Sequence, residues 1–168
     1  MTPQSYYAGF GKLEMRAVRI RIRRVGLTRS MTDCNIRSAG VRCPCCGYTT
    51  LHERAGYEIC ILCGWEDDGQ DDPRASEVWG GPNSDLSLTE ARSNFRDHRS
   101  IYRVGEDPRL GGGDSTEAVR VKSAIVQALD GLRRASTQGE IERLWEIVEV
   151  GEATLRAEVR RRVGGKPL

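Results

Sequence analysis

The chain has 168 residues, 38% of them apolar and 30% charged, with a formal net charge of +2. That size suits one compact domain or a small domain with extensions, and the high charge with few aromatics argues against a single large core. No apolar run approaches the roughly 18 residues of a membrane span and no charged-then-apolar leader opens the sequence, so the expectation is a cytoplasmic protein with no membrane association.

Residues 1–40 read as a basic N-terminal arm. Residues 1–42 hold nine Lys/Arg against Glu14 and Asp33. Within the arm, Ala17-Val18-Arg19-Ile20-Arg21-Ile22-Arg23 alternates apolar and basic residues, the pattern of a single edge strand with one arginine face; the rest of the arm is expected to be partly disordered. Two uses of the charge compete: attraction to an anionic partner such as nucleic acid, or folding back on the acidic segment that follows. A third reading is that translation starts at Met15 or Met31, which would leave some of the arm outside the protein.

Residues 41–100 read as a cysteine-rich metal-binding domain. Cys43-Pro44-Cys45-Cys46-Gly47 and Cys60-Ile61-Leu62-Cys63-Gly64 each set two thiols on one side of a tight turn, and thirteen residues separate the pairs. Four thiolates suit zinc in a closed tetrahedral site, so Cys43, Cys46, Cys60 and Cys63 are the expected ligands and zinc the expected cofactor. The glycine after each second cysteine lets the backbone turn its amides toward the sulfurs, and Pro44 presets its own φ. Iron in a four-thiolate site uses similar turns. A thioredoxin-like pair is disfavoured, because its first cysteine must open a helix and here glycine and strand residues follow. Cys45 is left over; it reads as a small buried hydrophobe, against the sharper readings of alternative ligand or reactive thiol. Cys34 reads as inert.

Between the pairs, Tyr48–Leu51 reads as a strand, Arg54-Ala55-Gly56 as a turn and Tyr57-Glu58-Ile59 as the returning strand, together a zinc-ribbon-like hairpin. The acidic stretch Glu66–Asp72 lacks the pattern of a calcium loop and reads as a solvated loop, or one that caps the next helix. His52 and His98 read as surface residues. A helix is expected from Ser87, which has Glu90 at capping-box distance, to about His98–Arg99, with Leu88, Ala91 and Phe95 on one face.

Residues 101–113 read as a linker, with Pro108 and Gly111-Gly112-Gly113. Residues 114–163 read as an antiparallel helical hairpin. Asp114 is expected to cap its first helix, whose apolar residues are Ala118, Val121, Ile125, Ala128 and Leu132. The second is expected to start near Thr137, with Ile141, Leu144, Trp145, Val148, Leu155 and Val159 on its apolar side and a possible kink at Gly151. Residues 164–168 read as a disordered tail. The fold class is therefore α+β: a zinc-ribbon-like module, one short helix and a C-terminal helical hairpin.

The ordered motifs Cys43–Tyr48, Tyr57–Cys60 with Cys63, Trp65–Asp72, Gly80-Gly81-Pro82-Asn83, Leu86-Ser87-Leu88, Glu90-Ala91-Arg92 and Asn94-Phe95 resemble the bacterial cysteine-rich CPCC domain family. The resemblance implies a small zinc-ribbon-like domain and carries no established activity. No Ser-His-Asp set, phosphate-binding glycine loop or open metal position is present, so no catalytic residue is assigned. The expected function is a zinc-stabilised binding module. Its partner is a protein, or a second copy engaged through residues 114–163, where a two-helix hairpin alone buries too little and should leave an apolar stripe exposed. The alternatives are a nucleic-acid-binding protein using the basic arm, and an enzyme using Cys45 or residues 66–72.

Overall fold

A computed structural model describes residues 40–103, 105–108 and 113–164. The arm with its alternating strand and Cys34, the centre of the linker and the tail at 165–168 lie outside the described residues. The elements run β1 (Val41–Arg42), β2 (Thr49–Leu51), two single-turn 3-10 helices (Asp72–Arg74 and Gly81–Asn83), α1 (Leu88–His98), α2 (Thr116–Leu132) and α3 (Gln138–Gly164). The α+β class stands, on a sheet of two short antiparallel strands.

The strand pairing differs from the expected hairpin. β2 forms where the Thr49–Leu51 pattern places it, but its partner is β1, across the first cysteine turn. Tyr57–Ile59 does not return along β2. Ala55 and Tyr57 both take left-handed backbone angles, φ 58 and 57, which a strand cannot accommodate. Ile59 instead bridges to Glu66, across the second cysteine turn. Each Cys-x-x-Cys turn thus closes its own miniature hairpin.

α1 forms as its sequence demands. The Ser87 hydroxyl accepts from the Glu90 amide while the Glu90 carboxylate accepts from the Ser87 amide, and Arg99 ends the helix in the left-handed conformation. Leu88, Ala91 and Phe95 are its buried face. α2 is capped one residue later than Asp114: the Ser115 hydroxyl accepts from Ala118 N, which frees Asp114 to pair with the buried Lys122 at 2.6 Å. α3 begins beside Thr137, whose hydroxyl accepts from Glu140 N.

α2 and α3 form an antiparallel pair, since Gly131 meets Leu144 while Gly151 meets Ile125. No kink is needed at Gly151, and α3 runs unbroken through it. A Cβ there would stand 2.6 and 2.9 Å from side-chain carbons of Ile125 and 3.4 Å from Val121. The glycine is therefore a contact point that lets the two helices approach, and the space matters more than the backbone angle.

The expected apolar stripe is covered in part within the chain: Ile125, Val148 and Leu155 are buried, whereas Val159 stays 39% exposed. One core joins Leu62, Trp65, Leu88 and Ile101 of the cysteine-rich region to Ile125, Val148 and Leu155 of the hairpin, with Trp145 half-buried against it. All described residues fall in one compact unit. Tyr48 Oη donates to Asp130 at 3.1 Å, and the Arg133 guanidinium lies 5.5 Å from the Tyr48 ring centre. At the two ends of residues 101–113, Ile101 and Tyr102 are buried and Arg162 donates to the carbonyl of Gly113.

Candidate metal centre

The two cysteine turns share one hydrogen-bond design. In the first, Gly47 N donates to Cys43 O at 2.9 Å and Cys43 N to Tyr48 O at 2.9 Å; in the second, Gly64 N donates to Cys60 O and Cys60 N to Trp65 O, both at 2.8 Å. The turns need a left-handed residue at the fourth step, and Gly47 and Gly64 supply it with φ 76 and 86. Nothing lies within 4 Å of a Cβ built on Gly47, so conformation alone calls for glycine there.

Facing one another, the turns bring the sulfurs of Cys43, Cys46, Cys60 and Cys63 within 4.8 Å of each other. Cys43 Sγ is 3.6 Å from Cys63 Sγ, and Cys46 Sγ 3.7 Å from Cys60 Sγ. Ligands about 2.3 Å from a central zinc stand about 3.8 Å apart along each tetrahedral edge, so the donor set fits a tetrahedral thiophilic cation. The four cysteines are positioned to bind a metal ion; Cys43, Cys60 and Cys63 are buried and Cys46 is partly exposed.

Crowding the thiols sets their acidities apart. The contact with Cys43 pushes the Cys46 thiol up, and burial pushes Cys63 up. Burial also opposes ionisation of Cys60, but hydrogen bonds from Cys43, Cys46, Cys63 and Thr50 outweigh it and hold that thiol well below the ordinary range. A cation removes the conflict, since four thiolates can then coexist. The surroundings already favour negative sulfur: Thr50 Oγ1 lies 2.9 Å from Cys60 Sγ, and Trp65 N donates to Cys63 Sγ at 3.4 Å. The Trp65 contact follows from the turn itself. Thr50 is ten residues from Cys60, and no local pattern foretells the pairing.

Cys45 is buried and outside the four-sulfur group; it adjoins Cys63 and contributes to raising that thiol. His52 is exposed and pairs with Glu58 at 2.9 Å. His98 closes α1, away from the sulfurs in the sequence of elements.

The acidic stretch is the main correction. Asp67 and Gln70 are fully buried. The Asp67 carboxylate accepts from Arg54 Nε at 2.8 Å, Ala55 N at 3.0 Å and Gly69 N at 3.3 Å. Gln70 Nε2 donates to the carbonyls of Arg74 and Glu77, both at 2.8 Å. Asn83, set by the Gly80-Gly81-Pro82 turn, pairs with both backbone groups of Glu66 at 3.0 and 2.9 Å. Among the described residues these carboxylates form no cation site; they hold the loop that backs the second cysteine turn. α1 ties the two turns together: Arg92 donates twice to Pro44 O, at 3.0 and 2.8 Å, and pairs with Asp72, while Ile101 N donates to Cys63 O.

A cavity of about 320 Å³ lies between the second turn and the hairpin. Its walls are mostly apolar, and its charged residues pair among themselves, Lys122 with Asp114 and Arg162 with Glu158. Asp107, also buried, lines the same cavity.

Fold and site together define a small α+β protein organised around a four-cysteine metal-binding module. Residues 41–103 match the family model described as cysteine-rich CPCC, and the match ends where the described core passes from α1 to the helical hairpin. No curated protein and no solved structure matches the chain.

Proposed function

We propose that the chain is a zinc-stabilised protein-interaction module of the cytoplasm, in which the metal supports the fold and takes no part in chemistry. The observation that carries this reading is the donor set: four cysteine sulfurs within 4.8 Å of one another are enough to fill all four positions of a tetrahedral ion. Zinc fits because it accepts four thiolates without redox cycling and without a demand for another geometry. Cys43, Cys46, Cys60 and Cys63 would hold it, and bound there it neutralises thiolate charge that burial would otherwise forbid. A reducing compartment is the setting in which free thiols remain available to the metal.

Native mass spectrometry of the purified full chain tests the metal. One zinc per chain is expected; iron, or a second bound metal, would replace this reading. Retention of the full chain on DNA or RNA that falls with salt would move the partner from protein to nucleic acid, engaged through the arginine-rich arm.

A further inference from the structure

α3 buries one face against α2 and the cysteine-rich region and leaves another uncovered. Along the uncovered face lie Arg143, Ile147, Val150, Thr154, Ala157 and Arg161, spaced alternately by four and three residues. The spacing is that of a coiled-coil seam, with Ile147, Val150 and Ala157 as its apolar positions and Thr154 between them. Ile147 is 40% exposed and Val150 51%, and Ala153 and Ala157 beside them are exposed and small enough for a second helix to come close.

Charge names the occupant. From Gln138 to Glu152, α3 carries Glu140, Glu142, Glu146, Glu149 and Glu152 against Arg143; from Ala153 to Gly164 it carries Arg156, Arg160, Arg161 and Arg162 against Glu158. The helix dipole accounts for such a bias only in the first and last turns, whereas Glu146, Glu149 and Arg156 lie in the middle. Two copies of α3 laid antiparallel bring each acidic half against a basic half.

We propose that this face of α3 docks a second copy of the chain across a two-fold axis near Glu152, so that Ile147 packs on Ala157 of the other copy and Val150 on its Thr154. On the flank of the seam, Glu146 then faces Arg160 and Glu149 faces Arg156. The intrachain contact of Arg156 with Glu152 is loose, at 3.9 Å, and its side chain is 59% exposed. Arg143 and Arg161 meet at the wet ends of the seam, where both reach solvent. The seam is about 27 Å long, at the small end of specific interfaces, so the dimer is concentration-dependent. This inference rests on the reading of the chain as a protein-interaction module and identifies its partner.

Sedimentation equilibrium of the zinc-loaded full chain tests it. Wild type should be a reversible dimer, and Val150→Glu, at an exposed position, should weaken association by about 30-fold or more. The pair Glu146→Arg/Glu149→Arg and the pair Arg156→Glu/Arg160→Glu should each be monomeric alone and should form a mixed dimer when combined, which a misfolded variant cannot do. A wild type that stays monomeric to millimolar concentration, a dimer indifferent to Val150→Glu, or no recovery on mixing overturns the proposal. A folded, zinc-loaded monomer would remove the second copy as partner and leave the interaction-module reading standing.

Discussion

The cysteine-rich region and the helical hairpin reach order by different physical means. Residues 41–87 contain five residues of strand and two single helical turns, and their shape depends on side chains that bond to backbone, Asp67, Gln70 and Asn83, and on four cysteine sulfurs brought together. Residues 113–164 are almost wholly helix, with backbone bonds satisfied locally and an apolar face pressed on a neighbour. A region of the first kind fails when one polar or metal contact is lost. A region of the second kind fails by degrees, as volume is added or removed. The two share a core, so damage to one is felt in the other, but the sizes of the effects should differ.

The largest effect should come from the metal. Structural zinc in small domains is worth about 10–16 kcal/mol of apparent binding energy, far beyond what the burial of residues 41–72 can replace. Cys60→Ala should abolish stoichiometric zinc binding and unfold both cysteine turns, measured by metal content and near-UV circular dichroism, while far-UV helical signal from α2 and α3 partly survives. Equal loss of both signals would erase the contrast between the two regions.

Next in size is the buried carboxylate. Asp67→Ala removes the buried carboxylate that accepts from the amides of Ala55 and Gly69 and from the Arg54 guanidinium, and hydrogen bonds to a charged group are worth about 1.5–3 kcal/mol each, less where the donor reaches solvent. A loss of about 3 kcal/mol in denaturant unfolding is expected, with zinc still bound. Arg54→Ala should cost less, because Arg54 is partly exposed. Parity between the two would mean that the ion pair, and not the backbone contacts, holds the loop.

In the hairpin, Gly151→Ala inverts the usual preference. Alanine in a helix is favoured over glycine by about 1 kcal/mol, yet the added methyl meets Ile125 at 2.6 Å, and overpacking costs about 1–3 kcal/mol. A net loss is expected, and it should shrink in an Ile125→Ala background, which removes both carbons that the methyl meets. Stabilisation by Gly151→Ala alone would show that the two helices are not held at this separation.

The smallest effect concerns the bond that joins the regions. Burial, helped by the hydrogen bond to Asp130, pushes the Tyr48 phenol up to about 12 from its ordinary 10.0. Because the folded value is the higher one, the contribution is complete below pH 10 and is lost as pH rises toward 12. Ultraviolet titration should find a late-titrating tyrosine that is absent in Tyr48→Phe, a substitution that itself should cost about 0.5–1.5 kcal/mol. An ordinary titration for Tyr48 would detach the hairpin from the first cysteine turn.

What the sequence by itself determined is what local spacing encodes. Two Cys-x-x-Cys-Gly turns, the Ser87–Glu90 cap, the buried face of α1 and the antiparallel hairpin all depend on residues within a turn or two of each other, where a steric or hydrogen-bonding rule acts whatever the rest of the chain does. Tertiary structure decided the features that depend on which surfaces meet. β2 pairs with β1 because left-handed Ala55 and Tyr57 divert the chain. Asp67 and Gln70 are buried although residues 66–72 are composed like a solvated loop, because the Arg54 side chain, the amides of Ala55 and Gly69 and the carbonyls of Arg74 and Glu77 converge on them. Gly151 is a helix–helix contact, since Ile125 occupies the space a side chain would need. The hairpin's apolar face is covered in part by the cysteine-rich region of its own chain despite the glycines between them, because burying Val148, Leu155 and Ile125 against that core removes more apolar surface from water than leaving the helices apart.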